Sequence, residues 1–167
     1  MGSGKSSVGR MLARELRFQF LDTDMIIEDR ARMAIKDIFA RYGEERFRER
    51  ETAALESLVG VRRHVLATGG GIVTQPRNLP ILHRLGWVVQ LKADPEELFR
   101  RVARSRDRPL LQVANPQDRV NEMFATRQPL YLAAADFTVD STGLRREEVV
   151  DKVLAEARKV FRWRCEE

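Results

Sequence analysis

Apolar residues Val8, Met11, Leu12 and Leu16 recur at three- and four-residue spacing and predict a helix over Lys5–Leu16. A short strand, Phe18–Leu21, follows and ends at Asp22-Thr23-Asp24. Helical pattern resumes through Ile26–Arg32, Ile35–Tyr42 and Glu44–Leu58, with Gly43 and Gly60 as breaks. The segment "HVLATGGG" reads as a buried strand, His64–Ala67, running into three glycines. A helix through Leu79–Leu85 leads to the strand "WVVQLKA", and Asp94-Pro95 opens a helix to about Ala103. Arg104–Gln117, with Pro109 and Pro116, is expected to be a mobile loop; Asp118–Tyr131 a helix, Phe137–Val139 a strand and Glu147–Phe161 a closing helix. Strands that alternate with helices predict an α/β domain with a parallel sheet. The glycine turns and paired aspartates then fall at the C-terminal strand ends, the edge where such sheets bind ligands.

Composition narrows this little. At 167 residues and 43% hydrophobic, the chain suits one domain, 1–167. No linker, repeat or low-complexity tract is visible. No apolar run approaches the roughly 18–20 residues of a membrane span, and no signal peptide is seen, so a soluble cytoplasmic protein without a membrane partner is expected. The lone Cys165 excludes an internal disulfide framework. A net charge of +5 suits a nucleic-acid partner or a site for small anions. The basic residues are scattered among acidic ones, as in Glu44–Glu51 and Arg145–Asp151, which favours the small anion over nucleic acid.

The candidate chemistry starts with "MGSGKSS". Gly4-Lys5-Ser6 matches the end of a phosphate-binding loop that opens a helix, where the dipole favours phosphate. Lys5 would neutralise β/γ charge and Ser6 would ligate Mg²⁺. Asp22 and Asp24 read either as a polar turn or helix cap, or as a metal-side carboxylate and a base for an acceptor hydroxyl. Gly69-Gly70-Gly71 exceeds what a tight turn needs and suggests close backbone approach to a bound ligand, with N–H groups available to its oxygens. Arg48, Arg108 and Arg127, each beside an aromatic or apolar anchor, could converge on a carboxylate or a transferring phosphoryl group.

The ordered motifs "GSGKSSVGR", "FLDTD", "GEERFRERE", "VLATGGGIV", "RPLL" and "RQPLYLAAAD" cover essentially the whole chain, which they make similar to shikimate kinases. The resemblance implies a three-layer P-loop kinase fold, a five-stranded parallel sheet flanked by helices, with a substrate-binding segment at about 24–58 and a lid at about 104–117. It implies ATP and Mg²⁺, with Gly2, Ser3, Gly4, Lys5, Ser6 and Ser7 around phosphate and Asp22 on the metal through water. Asp24 would be the base on the shikimate hydroxyl, Arg48 and Arg127 would grip the shikimate carboxylate beside Gly69, Gly70 and Gly71, and Glu51 would order Arg48. Arg108 would close over the phosphates and Arg104 would flank adenine. The product would be shikimate 3-phosphate, on the way to chorismate and the aromatic amino acids, and the enzyme a monomer.

Three departures accompany the resemblance. The first loop glycine and the preceding strand are absent, so the native product is expected to start upstream by roughly ten residues, making Met1 internal. The lid "RSRDRPLL" is short, which predicts weaker nucleotide affinity. Thr142–Arg146 lacks the proline of the family's adenine loop, leaving adenine contacts unassigned. Two other readings stand beside this one: a kinase for a gluconate-type sugar acid, and a non-catalytic ligand sensor on the same fold.

Overall fold

The first helix begins because Gly4 turns the chain into it. In the computed structural model, which describes residues 3–103 and 116–161, Gly4 takes φ 83° and caps α1, Lys5–Leu16. That left-handed conformation is cheap only for glycine. β1, Gln19–Asp22, then runs parallel to β2, His64–Ala67, with Gln19 opposite His64 and Asp22 opposite Ala67. Between them lie α2, Thr23–Ala31, and α3, Ile35–Glu56. After β2 come a short 3-10 turn, Ile72–Thr74, and α4, Asn78–Leu85. β3, Val89–Lys92, pairs in parallel with β4, Phe137–Asp140. α5, Pro95–Ala103, and α6, Pro116–Ala134, intervene, and α7, Arg146–Phe161, follows β4.

Several boundaries differ from the pattern for local reasons. α2 starts at Thr23 and not Ile26, because the Asp22 side chain accepts the Asp24 N–H and caps the helix there. The helices expected on either side of Gly43 run on as α3 through a kink where Gly43 takes φ 78° and ψ 175°. Pro116 and Gln117 are helix, not loop: proline suits the first helical position, where its missing N–H has no partner to lose. Residues 104–115 of the expected lid lie outside the described residues.

The sheet is divided. The four described strands form two parallel pairs, β1–β2 and β3–β4, and among the described residues no fifth strand joins them into the continuous five-stranded sheet implied by the resemblance. α1 bridges the pairs. It packs on β1, β2 and α7, while its Val8, Met11, Leu12 and Leu16 join a cluster with Val89, Leu91, Phe137 and Val139 of the other pair. Gly9 permits the close approach, since a Cβ there would lie 2.9 Å from the Phe20 ring.

Two further clusters fix the site. Leu55, Ile72, Val73, Ile81, Leu82 and Ala134 pack the turn after β2 between α3, α4 and α6. Ile27, Ile38, Phe47 and Ala54 hold α2 against α3. Ile38 and Leu55 are fully buried, each stabilising the fold by about 1.5–3 kcal/mol. Among the described residues, no helix is long and apolar enough to cross a membrane.

Candidate active site

The register that sets Asp22 opposite Ala67 brings the ends of β1 and β2 side by side. On one flank stands the N-terminus of α1. Its first turn carries no acidic residue, so its exposed N–H groups present uncompensated positive charge. Ser3 is buried, and the Lys5 Nζ donates to its Oγ at 3.4 Å. Ser7 is half-buried on the same turn, and Gly2 lies outside the described residues. The Ser6 hydroxyl donates to Asp22 Oδ2 at 2.8 Å, while Asp22 Oδ1 accepts the Asp24 N–H at 3.0 Å. Asp22 is thus both the helix cap and a partner of the loop serine.

This oxygen pair fits a small hard cation. Among the described residues no three His, Cys, Asp or Glu side chains gather as a metal cage. Ser6 and Asp22 offer two hard oxygens, which suits Mg²⁺, an ion that keeps waters and phosphate oxygens as its other ligands.

On the other flank the glycine turn meets α2, α3 and α6. The Gly69 N–H donates to the buried Thr23 hydroxyl at 3.0 Å. A Cβ at Gly69 would lie 2.6 Å from Glu51 Oε1 and 2.9 Å from Asp24 Oδ1, and one at Gly71 would overlap the Arg48 guanidinium. None of the three glycines adopts a positive φ. Sequence reasoning assigned them to close approach of a ligand. The structure gives Gly69 and Gly71 a different reason, the protein's own charged side chains lying on their backbone, and the Gly69 N–H is already engaged.

Two of the three candidate arginines, Arg48 and Arg127, meet the glycine turn. Arg48 Nη1 donates to Glu51 Oε2 at 2.5 Å, while its Nε and Nη2 donate to Glu44 Oε1 at 3.2 and 2.8 Å. From α6, Arg127 Nη1 donates to the Gly70 carbonyl at 3.4 Å, and the Tyr131 hydroxyl donates to the same oxygen. Arg48 also lines a cleft of about 350 Å³ with Glu45, Glu49, Gln75, Pro76 and Arg77. Asp24, Arg48 and Arg127 therefore surround Gly69–Gly71. Arg104 and Arg108 lie outside the described residues.

Supporting residues escaped the sequence reading. Asn78, fully buried, donates to the Ile72 carbonyl and accepts from the Thr52 hydroxyl, tying α3 to the turn. Thr23, Thr52 and Asn78 carry no readable signal. Glu44 and Tyr131 do: each stands four residues from an arginine of the site, the separation that places helical side chains side by side.

Burial raises the Asp24 pKa, aided by Asp22 and Glu28 and opposed by Lys5 and Arg48. Burial also raises Glu51, against the pull of Arg48. For Arg48 burial works against the charge, but hydrogen bonds with Glu51 and Glu44 outweigh it and hold its pKa up. Burial likewise raises the Tyr131 phenol, which stays a donor. The arrangement offers a phosphate-binding helix end, two cationic forks and a partly desolvated carboxylate between them.

Known proteins share this arrangement's sequence over most of its length. The shikimate kinase family profile matches residues 1–158. A shikimate kinase of Caldanaerobacter subterraneus subsp. tengcongensis is 42% identical over 154 residues, covering 92% of this chain and 90% of its own. One of Geobacter sulfurreducens is 45% identical over 153 residues, covering 92% and 84%. The solved shikimate kinase from Acinetobacter baumannii in complex with shikimate is 38% identical, covers 96% of this chain and 90% of its own, and superposes with a TM-score of 0.91. That from Bacteroides thetaiotaomicron is 28% identical with a TM-score of 0.85, covering 98% and 94%. With a profile match from residue 1 to 158 and such relatives, the chain belongs to the shikimate kinase family.

Proposed function

We infer that the chain catalyses transfer of the γ-phosphoryl group of ATP to the 3-hydroxyl of shikimate, giving ADP and shikimate 3-phosphate. As a member of this family it is a shikimate kinase and uses ATP as phosphoryl donor. The observation that carries the residue-level reading is the grouping of Asp24, Arg48 and Arg127 around Gly69–Gly71, beside the α1 N-terminus.

In this reading Arg48 and Arg127 hold the acceptor carboxylate, and Asp24 faces the ring hydroxyl at the other end. Asp24 takes the hydroxyl proton as the new O–P bond forms and the bond to the ADP oxygen breaks. Its raised pKa makes it a better base than a solvated aspartate. The α1 N-terminus, Gly4 and Lys5 grip the β- and γ-phosphates, with Gly2, Ser3 and Ser7 completing the loop. Ser6, and Asp22 through water, would hold Mg²⁺, which when bound neutralises phosphate charge. By motif, Arg108 closes over the transferring group and Arg104 flanks adenine. The enzyme works as a cytoplasmic monomer, with no nucleic-acid or membrane partner.

The test is ADP release with Mg–ATP and either shikimate or gluconate as acceptor. Shikimate should be strongly preferred. Asp24→Asn should lower kcat by about 100-fold or more, and Arg48→Met should chiefly raise the shikimate KM. A preference for gluconate would overturn the acceptor assignment. Shikimate binding without ADP release would favour a sensor.

A further inference from the structure

We propose that Glu44 is an internal stand-in for the acceptor's carboxylate: it holds the Nε and Nη2 edge of Arg48 and must leave when the acceptor binds. This rests on Arg48 being the acceptor's anchor.

The two carboxylates on Arg48 differ in their freedom. Glu51 takes Nη1 and its side chain is 1% exposed; it stays. Glu44 takes Nε and Nη2 through one oxygen, Oε1, on the edge of the guanidinium where a carboxylate can also bind with both its oxygens. Its side chain is 67% exposed, so it returns to water at little cost. The Arg48 side chain is only 11% exposed. Leaving its fork unpaired in that setting is expensive, and Glu44 prevents this until a ligand arrives.

The exchange is one carboxylate for another, so the charge around Arg48 does not change. The Gly43 kink immediately before Glu44 breaks the helix at this point. Glu44 therefore opens the second half of α3, where the positive helix end gives a displaced carboxylate a favourable place to rest. Arg48 also borders the cleft described above.

Affinity for the acceptor is then reduced by the fraction of time Glu44 holds the fork. This separates the proposal from a purely orienting role by sign. If Glu44 only positioned Arg48, its removal would weaken binding; if it competes, removal tightens binding.

Calorimetric titration of shikimate into the nucleotide-free full chain provides the test, with Glu44→Gln and Glu44→Asp as independent variants. Both should bind shikimate roughly threefold or more tightly than wild type. Unchanged or weaker binding in both variants would overturn the proposal. Arg48→Met serves as the control on the underlying reading. If it binds shikimate like wild type, the anchor assignment fails; if it loses binding while the Glu44 variants show no gain, only the competition fails.

Discussion

Gly71 is a glycine because the Arg48 guanidinium lies where a side chain would begin. Gly71→Ala should push Arg48 off its place without touching the α1 end of the site. The expected outcome in steady-state kinetics is a shikimate KM raised at least about tenfold, a loss near 1.4 kcal/mol, with the ATP KM within twofold; a parallel rise in both would refute the local account. His64 gives a second prediction at this scale. Burial pushes its imidazole pKa down, opposed by a backbone hydrogen bond with Val61, and its buried Nδ1 has no partner among the described residues. Between that lowered value and the usual ~6.5, the unfolded chain binds a proton that the folded chain refuses. Stability contributed by neutral His64 is therefore lost as pH falls through that window. Urea unfolding at two pH values should show a larger acid-side loss for wild type than for His64→Gln, and equal losses would refute it. At this scale the charged candidates were legible, since lysine, aspartate and arginine in ordered motifs carry their chemistry in their identity. The residues that fix the turn beside them, Thr23 and Asn78, were not, because their bonds to Gly69 and Ile72 span 46 and 6 residues and leave no periodic trace.

At the scale of elements, the Gly43 kink is the feature with the clearest energetic consequence. A φ of 78° with ψ 175° belongs to a region almost reserved for glycine. Gly43→Ala should cost about 1–3 kcal/mol in urea unfolding, or else straighten α3 and carry Glu44 away from Arg48. A stability loss under a few tenths of a kcal/mol with unaltered shikimate binding would show that the kink is unstrained. The hydrophobic spacing marked the helices on both sides of this glycine but could not tell a break from a bend, because both halves bury the same face against α2. It also assigned Pro116 to a loop, since proline reads as a breaker unless it stands at the first helical position. β2 was found to the residue, its buried run being bounded by arginine before it and glycines after it.

Among the described residues, the two strand pairs meet through α1 and not through a shared ladder. Val8 sits in that joint at 4% exposure. Val8→Ala should lower unfolding stability by about 1–3 kcal/mol. A loss no greater than that of a surface substitution would show that the joint lies elsewhere. The α/β class followed from alternating strands and helices, and the missing strand followed from the phosphate loop's missing first glycine, but the pairing of the remaining strands did not. Apolar pattern says that a strand is buried without saying which strand lies beside it. The bridging helix also makes phosphate a reporter of cooperativity. A ligand held at the N-terminus of α1 steadies the element on which both strand pairs rest. Amide exchange should therefore slow in β3 and β4 as well as in β1 and β2 when nucleotide binds, and slowing confined to β1 and β2 would refute this.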